Sequence, residues 1–235
     1  MKDISKHTLA SIVTNNHHVV PVLEKYELDF CCRGKRTLAD ACIEKKIELE
    51  RIELELESVM MTGGGKSMPY TEMSTEKLIN HILVRHHFYV KQAMPLIYMH
   101  LEKVANKHGD RYPYMKEVFL LFEILQKEMN LHMQKEEKIL FPRIKEMEQK
   151  FTQMSSSDVP ANFIIAPISV METEHEHVGD ILYKIRKLTS NYAIPEGACT
   201  TFKVVLAELK EFEDDLHEHV HLENNILFPK ALNFV

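Results

Sequence analysis

An all-α fold is predicted for this 235-residue chain: an up-down-up-down four-helix bundle preceded by a small helical N-terminal domain. Three observations lead there. Only 7 Gly and no Trp accompany long Leu-, Glu- and Lys-rich stretches with apolar residues at helical spacing. Gly63-Gly64-Gly65, shortly before Pro69, reads as a linker between two units. Two segments, His132 to Pro142 and His219 to Pro229, repeat the pattern His-x-x-x-Glu-x-x-Ile-Leu-Phe-Pro and end on a basic residue, Arg143 or Lys230. Positions i and i+4 of a helix share a face, so each segment aims one imidazole and one carboxylate at one point.

The domains are placed at 1–60 and 75–235, with the linker at 61–74. In the first, a helix from Thr8 to Tyr26 carries Leu9, Ile12, Val13, Val20 and Leu23, with a break expected at Pro21. Asp29 to Arg36 is a loop. Thr37 caps a second helix, and Ile47, Ile52, Leu54, Leu56 and Val59 mark an acidic third. The second domain opens where Ser74 or Thr75 can cap, with Glu76 in the first turn. Its four helices are expected at about Thr75 to Lys107, Tyr114 to Lys150 (distorted at Pro142), Ala166 to Ser190 and Cys199 to Pro229. A polar loop, Gln153 to Pro160, joins the middle pair. Connections this short make successive helices antiparallel.

Composition narrows the function classes. The chain is 45% hydrophobic and 27% charged, ordinary for a soluble globular protein. A net charge of -6 disfavours non-specific nucleic-acid binding. No apolar run approaches the roughly 20 residues that span a bilayer. The start, Met1 to His7, lacks an apolar core, so no secretory signal is expected. Four cysteines make no disulfide framework at this length, which places the chain in the cytoplasm with reduced thiols. The 14 histidines, by contrast, cluster.

The repeat locates further ligands. Its two copies are offset by 87 residues. At an offset of 88, Ile82 pairs with Val170, Leu83 with Met171, Val90 with Val178, Met94 with Leu182 and Ile97 with Ile185, and His87 falls on His175. Pairings through His86 or His177 degrade the apolar match. The candidate metal set is therefore His87, His132, Glu136, His175, His219 and Glu223. Four imidazoles and two carboxylates are too many for one ion and suit two, with the carboxylates bridging. Iron, zinc and manganese all accept such ligands. The i, i+4 spacing disfavours a ferritin-type site, which uses Glu-x-x-His. His81, His86, His177, His217 and His221 are read as ordinary core or surface residues.

These residues resemble the hemerythrin-like family. Asp29-Phe-Cys-Cys-Arg-Gly-Lys-Arg-Thr-Leu38, Pro167 to His175 and Leu222 to Pro229 are similar, more narrowly, to the RIC family of iron–sulfur cluster repair di-iron proteins. The resemblance covers nearly the whole chain. It implies two non-haem iron ions per chain, oxo- and carboxylate-bridged, on the six positions above. It also implies a cytoplasmic stress protein that restores clusters damaged by nitric oxide or oxidants, with damaged iron–sulfur proteins as clients. The expected action is iron donation rather than classical enzyme catalysis. Cys31 and Cys32 are candidates for a thiol role, and Glu128 and Glu174 for shaping access to the metals. Arg33 stands where the family has a glycine, a departure that puts the cysteine turn in question. Oxygen or nitric oxide binding or sensing, and nitric oxide reduction, are the competing functions. Neither nucleic acid nor membrane is expected as a partner; a homodimer is admitted, the oligomeric state being left open.

Overall fold

A computed structural model describes residues 4–62, 70–153 and 162–234. The glycine run and nearly all of the Gln153 to Pro160 loop lie outside the described residues. The N-terminal unit comprises α1 (Leu9–Asn15), α2 (Val20–Lys25), α3 (Leu38–Lys45) and α4 (Leu49–Thr62). Thr8 and Thr37 cap α1 and α3, accepting from Ser11 N at 3.2 Å and Asp40 N at 3.1 Å. The expected helix from Thr8 to Tyr26 is interrupted at Asn16, not at Pro21. Asn16 turns extended, at φ -155, and its side chain accepts from His18 N. Pro21 lies in the first turn of α2, where its missing N–H costs nothing.

Four long helices follow. Helix α5 (75–108) is capped by Ser74, and α6 (114–152) returns after a short turn. Helix α7 (Asn162–Leu188) begins earlier than expected, with Pro167 inside it. The proline leaves the Phe163 carbonyl without its helical donor; Arg143 Nη1 supplies one at 2.9 Å. Helix α8 (200–232) runs past Pro229 to Leu232. Helix α5 packs on α6 and α8, and α6 on α7, closing an up-down-up-down bundle.

Three of these helices contain one π-helical turn: Leu83–His87 in α5, Glu136–Leu140 in α6 and Glu223–Leu227 in α8. In the last two, Phe141 N donates to Glu136 O and Phe228 N to Glu223 O, five residues back. Pro142 and Pro229 come next, each lacking the N–H that a regular ladder would require. The Ile-Leu-Phe-Pro repeat is thus the exit from a widened turn.

Fully buried Phe122, Phe202 and Phe212 fill one half of the bundle core; Phe141, Phe228, Leu78 and Ile144 fill the other. Each such side chain contributes roughly 1.5–3 kcal/mol of burial free energy. Between the halves lies a polar layer. The N-terminal unit has its own core of Leu9, Leu23, Phe30, Leu38 and Leu56, which Val220 of α8 joins. It docks on α7 and α8 through His217–Glu24 at 2.9 Å, Lys187–Glu27 at 3.0 Å and Asn225 Nδ2, which donates to Phe30 O and Cys31 O.

The cysteine loop answers the Arg33 question. Arg33 is not at positive φ. The glycine requirement falls on Gly34, where a Cβ would lie 2.2 Å from Phe30 O and 2.9 Å from Ala10 Cβ. The demand is close approach, not conformation, so Arg33 is accommodated.

Candidate metal centre

The polar layer contains all six sequence-predicted metal residues, each no more than 2% exposed. They form two sets: His87, His219, Glu136 and Glu223, and His132, His175, Glu136 and Glu223. Within each set the ligand atoms lie within 4.8 Å of one another. Both carboxylates are shared. Glu136 has one oxygen 3.3 Å from His132 Nε2 and the other 3.3 Å from His87 Nε2. Glu223 has one oxygen 3.0 Å from His219 Nε2 and the other 3.2 Å from His175 Nε2. The π turns begin at the two glutamates and end at His87, so the widened backbone sits where these three side chains leave their helices.

Outer contacts set the imidazole orientation. Nδ1 of His87 donates to Glu137 at 2.8 Å, that of His132 to Glu174 at 2.9 Å and that of His175 to Asn224 Oδ1 at 2.9 Å. With Nδ1 committed to these outer partners, each ring turns its Nε2 inward. Those of His132 and His175 face each other at 2.9 Å, which calls for a positive charge at that point. His87 Nε2, both oxygens of Glu136 and Oε2 of Glu223 are buried without a hydrogen-bond partner. Such orphans are costly in a dry interior unless a cation takes them up.

Burial, and for Glu136 the charge of Glu223, would raise both carboxyls. The imidazoles of His132, His175 and His219 nonetheless hold them below the usual range. Burial keeps His219 below the ordinary imidazole value. The result is a dry cage of ionised carboxylate and imidazole, a donor set suited to iron.

Glu137 and Asn224 were not among the sequence-predicted residues. Each directly follows a carboxylate of the repeat, and that adjacency is the only sequence signal for them. Glu174 contacts the centre through His132; the hydrogen bond from that ring, with Lys135 beside it, takes its carboxyl down to about 2. Glu128 pairs instead with the exposed His177 at 3.2 Å, away from the six. Of the histidines set aside, His217 bonds Glu24, His221 packs against Phe30, and His86 is fully buried against Asp215.

The cysteine loop lies over α7 and α8. Cys32 Sγ donates to the carbonyl of His175 at 3.4 Å, and Asn224 Nδ2 donates to Cys31 O at 3.5 Å. Asp29 Oδ1 accepts from the backbone N–H of Cys31 and Cys32, folding the turn. Asp29, Cys31 and Cys32 also present convergent donor atoms. The hydrogen bond with Cys32 and burial push the Cys31 thiol well above its usual range.

Comparison with known proteins agrees with this architecture. The hemerythrin HHE cation binding domain family matches residues 78–231, and the ScdA_N domain, described as a domain of unknown function, matches residues 5–60. The iron-sulfur cluster repair protein YtfE of Escherichia coli O17:K52:H18 is 38% identical over 214 residues, 90% of each chain. That of Citrobacter koseri is 37% identical over 211 residues, again 90% of each. With family models matching both units, relatives 37–38% identical over 90% of the chain and a shared-carboxylate histidine cage, the chain belongs to the YtfE-like branch of the hemerythrin HHE cation binding family.

Proposed function

We propose that the chain is a di-iron protein that repairs damaged iron–sulfur clusters by donating iron. The observation that carries this is the sharing of Glu136 and Glu223 between two histidine pairs. His87 and His219 would hold one iron, His132 and His175 the other, and the two carboxylates would bridge. When bound, the pair would supply redox-active, exchangeable iron. The repair role comes from the curated relatives, which bear that name over nine-tenths of their length.

The chain's own residues hold the cargo and limit its escape. Glu137, Glu174 and Asn224 keep three imidazoles aimed inward, and the flanking phenylalanines keep bulk water out. Cys32, half-buried over the His175 carbonyl, is the thiol placed to receive iron; Cys31 is held protonated and acts by shaping the turn. Clients are iron–sulfur proteins of the cytoplasm damaged by nitric oxide or oxidants. No described helix is long and apolar enough to cross a membrane.

Metal analysis with optical spectra tests the reading. Wild type should carry about two irons per chain and an oxo-bridge band, and Glu136→Ala and Glu223→Ala should lose both. Zinc alone, or unchanged iron in both variants, would sink the assignment.

A further inference from the structure

The register that sets His87 against His175 also sets His86 against Glu174. Glu174 accepts a hydrogen bond from Nδ1 of His132, but His86 does nothing comparable for His219. It stacks on that ring instead, with centroids 5.5 Å apart and planes 10° from parallel. His219 Nδ1 is left buried and without a partner. His86 is itself fully buried, its Nδ1 bonded to Asp215 Oδ1 at 3.0 Å and its Nε2 without a partner. An imidazole backed by a carboxylate through Nδ1, with Nε2 unsatisfied, is the arrangement of a metal-ligating histidine.

A second imidazole stands beside it. His81, one and a half turns earlier on α5, has its ring centre 5.7 Å from that of His86, with the planes 74° apart. Its Nε2 is also buried and unpartnered. Burial and the neighbouring His86 hold His81 below the ordinary imidazole range, so the ring is neutral near pH 7. An ion about 2.1 Å from each nitrogen lies about 3.2 Å from each ring centre, which accommodates rings up to roughly 6 Å apart.

A cleft of about 680 Å³ opens between the N-terminal unit, α5 and α8, and Tyr70 and Asp215, the neighbours of these rings, line it. Glu24, Glu211, Asp214, Asp215 and Glu218 line it against one guanidinium, Arg85. Tyr70, which packs on His81 at 5.2 Å, donates to Glu218 at 3.2 Å. A concave wall of carboxylates raises the local concentration of cations. Orphaned nitrogens and an acidic mouth therefore run in series from His219 outward.

We propose that His81 and His86, with Asp215 behind His86, form a separate and weaker site for a first-row divalent cation, between the buried centre and the acidic cleft. Two protein nitrogens with water completing the shell bind less tightly than the six-residue cage. That makes the site a station for iron entering or leaving it. The station role rests on the two-iron reading above; cation binding by the two histidines does not.

The test is cobalt(II) binding to the oxidised, iron-loaded protein by equilibrium dialysis, with cobalt and iron counted separately and cobalt located by anomalous scattering. One cobalt per chain beyond the iron centre, between His81 and His86, is expected. His86→Phe and His81→Phe should abolish it. Asp215→Asn should weaken it about 10–100-fold, as loss of a carboxylate behind a metal-bound histidine does. If His86→Phe disturbs the neighbouring His87, the other two variants carry the test. Absence of a third ion in wild type, or cobalt affinity unchanged in both Asp215→Asn and His81→Phe, overturns the proposal. Cobalt found at His81 and His86 in protein without iron at the centre would support this site while overturning the di-iron reading.

Discussion

Asn224 is the neutral member of the three residues that accept a hydrogen bond from an inward-facing imidazole, and its side chain also bonds the cysteine loop. Its Oδ1 fixes His175 while its Nδ2 reaches Cys31 O. Removing it frees the ring and takes one of two donors from Cys31 O, Asn225 keeping the other. Asn224→Ala is expected to lower iron affinity about 10–100-fold, the usual consequence of losing the partner behind a metal-bound histidine. Competition with a chelator measures this, and wild-type affinity in the variant would remove Asn224 from any positioning role. The histidines and glutamates of the centre were legible because two repeats and one register offset align them. Asn224 and Glu137 were not: a polar side chain beside a buried one on a helix reads as surface until the neighbouring helix is packed against it. His86 was set aside for the same reason, its burial being a property of α8 as much as of α5.

At the scale of the element, the π turns connect the sequence repeat to the geometry. A π turn is an α-helix with one residue more than its ladder needs, so the side chain at its edge is re-aimed while the helix beyond keeps its buried face. Buried Glu136, Leu140, Phe141 and Ile144 keep that face through the turn, whereas Lys138 is exposed within it. Deleting Lys138 should restore a regular helix with the core pattern intact. The expected outcome is a folded, helical protein by circular dichroism that binds markedly less iron, because Glu136 and Glu137 no longer point at His87. Full iron content in that deletion would show that the widened turn is incidental. Pro142 was expected to distort its helix, and the distortion lies just ahead of it. The early start of α7 was not readable, because the carbonyl freed by Pro167 is satisfied by Arg143 of another helix.

At the scale of the molecule, the N-terminal unit seats its cysteine loop on α7 and α8, and the contact contains a buried histidine. His221 is 4% exposed, packs edge-on to Phe30, and burial takes it from the ordinary 6.5 down to about 4. A histidine with a depressed folded-state value binds its proton more readily when unfolded. Its contribution is intact above pH 6.5 and is lost as pH falls toward 4, by on the order of 3 kcal/mol at most. Urea unfolding at pH 7 and pH 4.5 should show a smaller acid loss in His221→Gln than in wild type. An equal loss in both would mean that His221 stays neutral in neither state or in both.

The sequence by itself determined the helical class, the four long helices and the six residues that meet at their centre. These follow from periodicity, caps and an internal repeat, all of them local or in register. Only the tertiary structure decided which neighbours orient the imidazoles, where the N-terminal unit docks and which further histidines stand behind the centre. Those depend on groups far apart in the chain, 49 residues for His175–Asn224 and 194 for Cys31–Asn225. Periodicity says which face of a helix is buried, and packing says what that face meets.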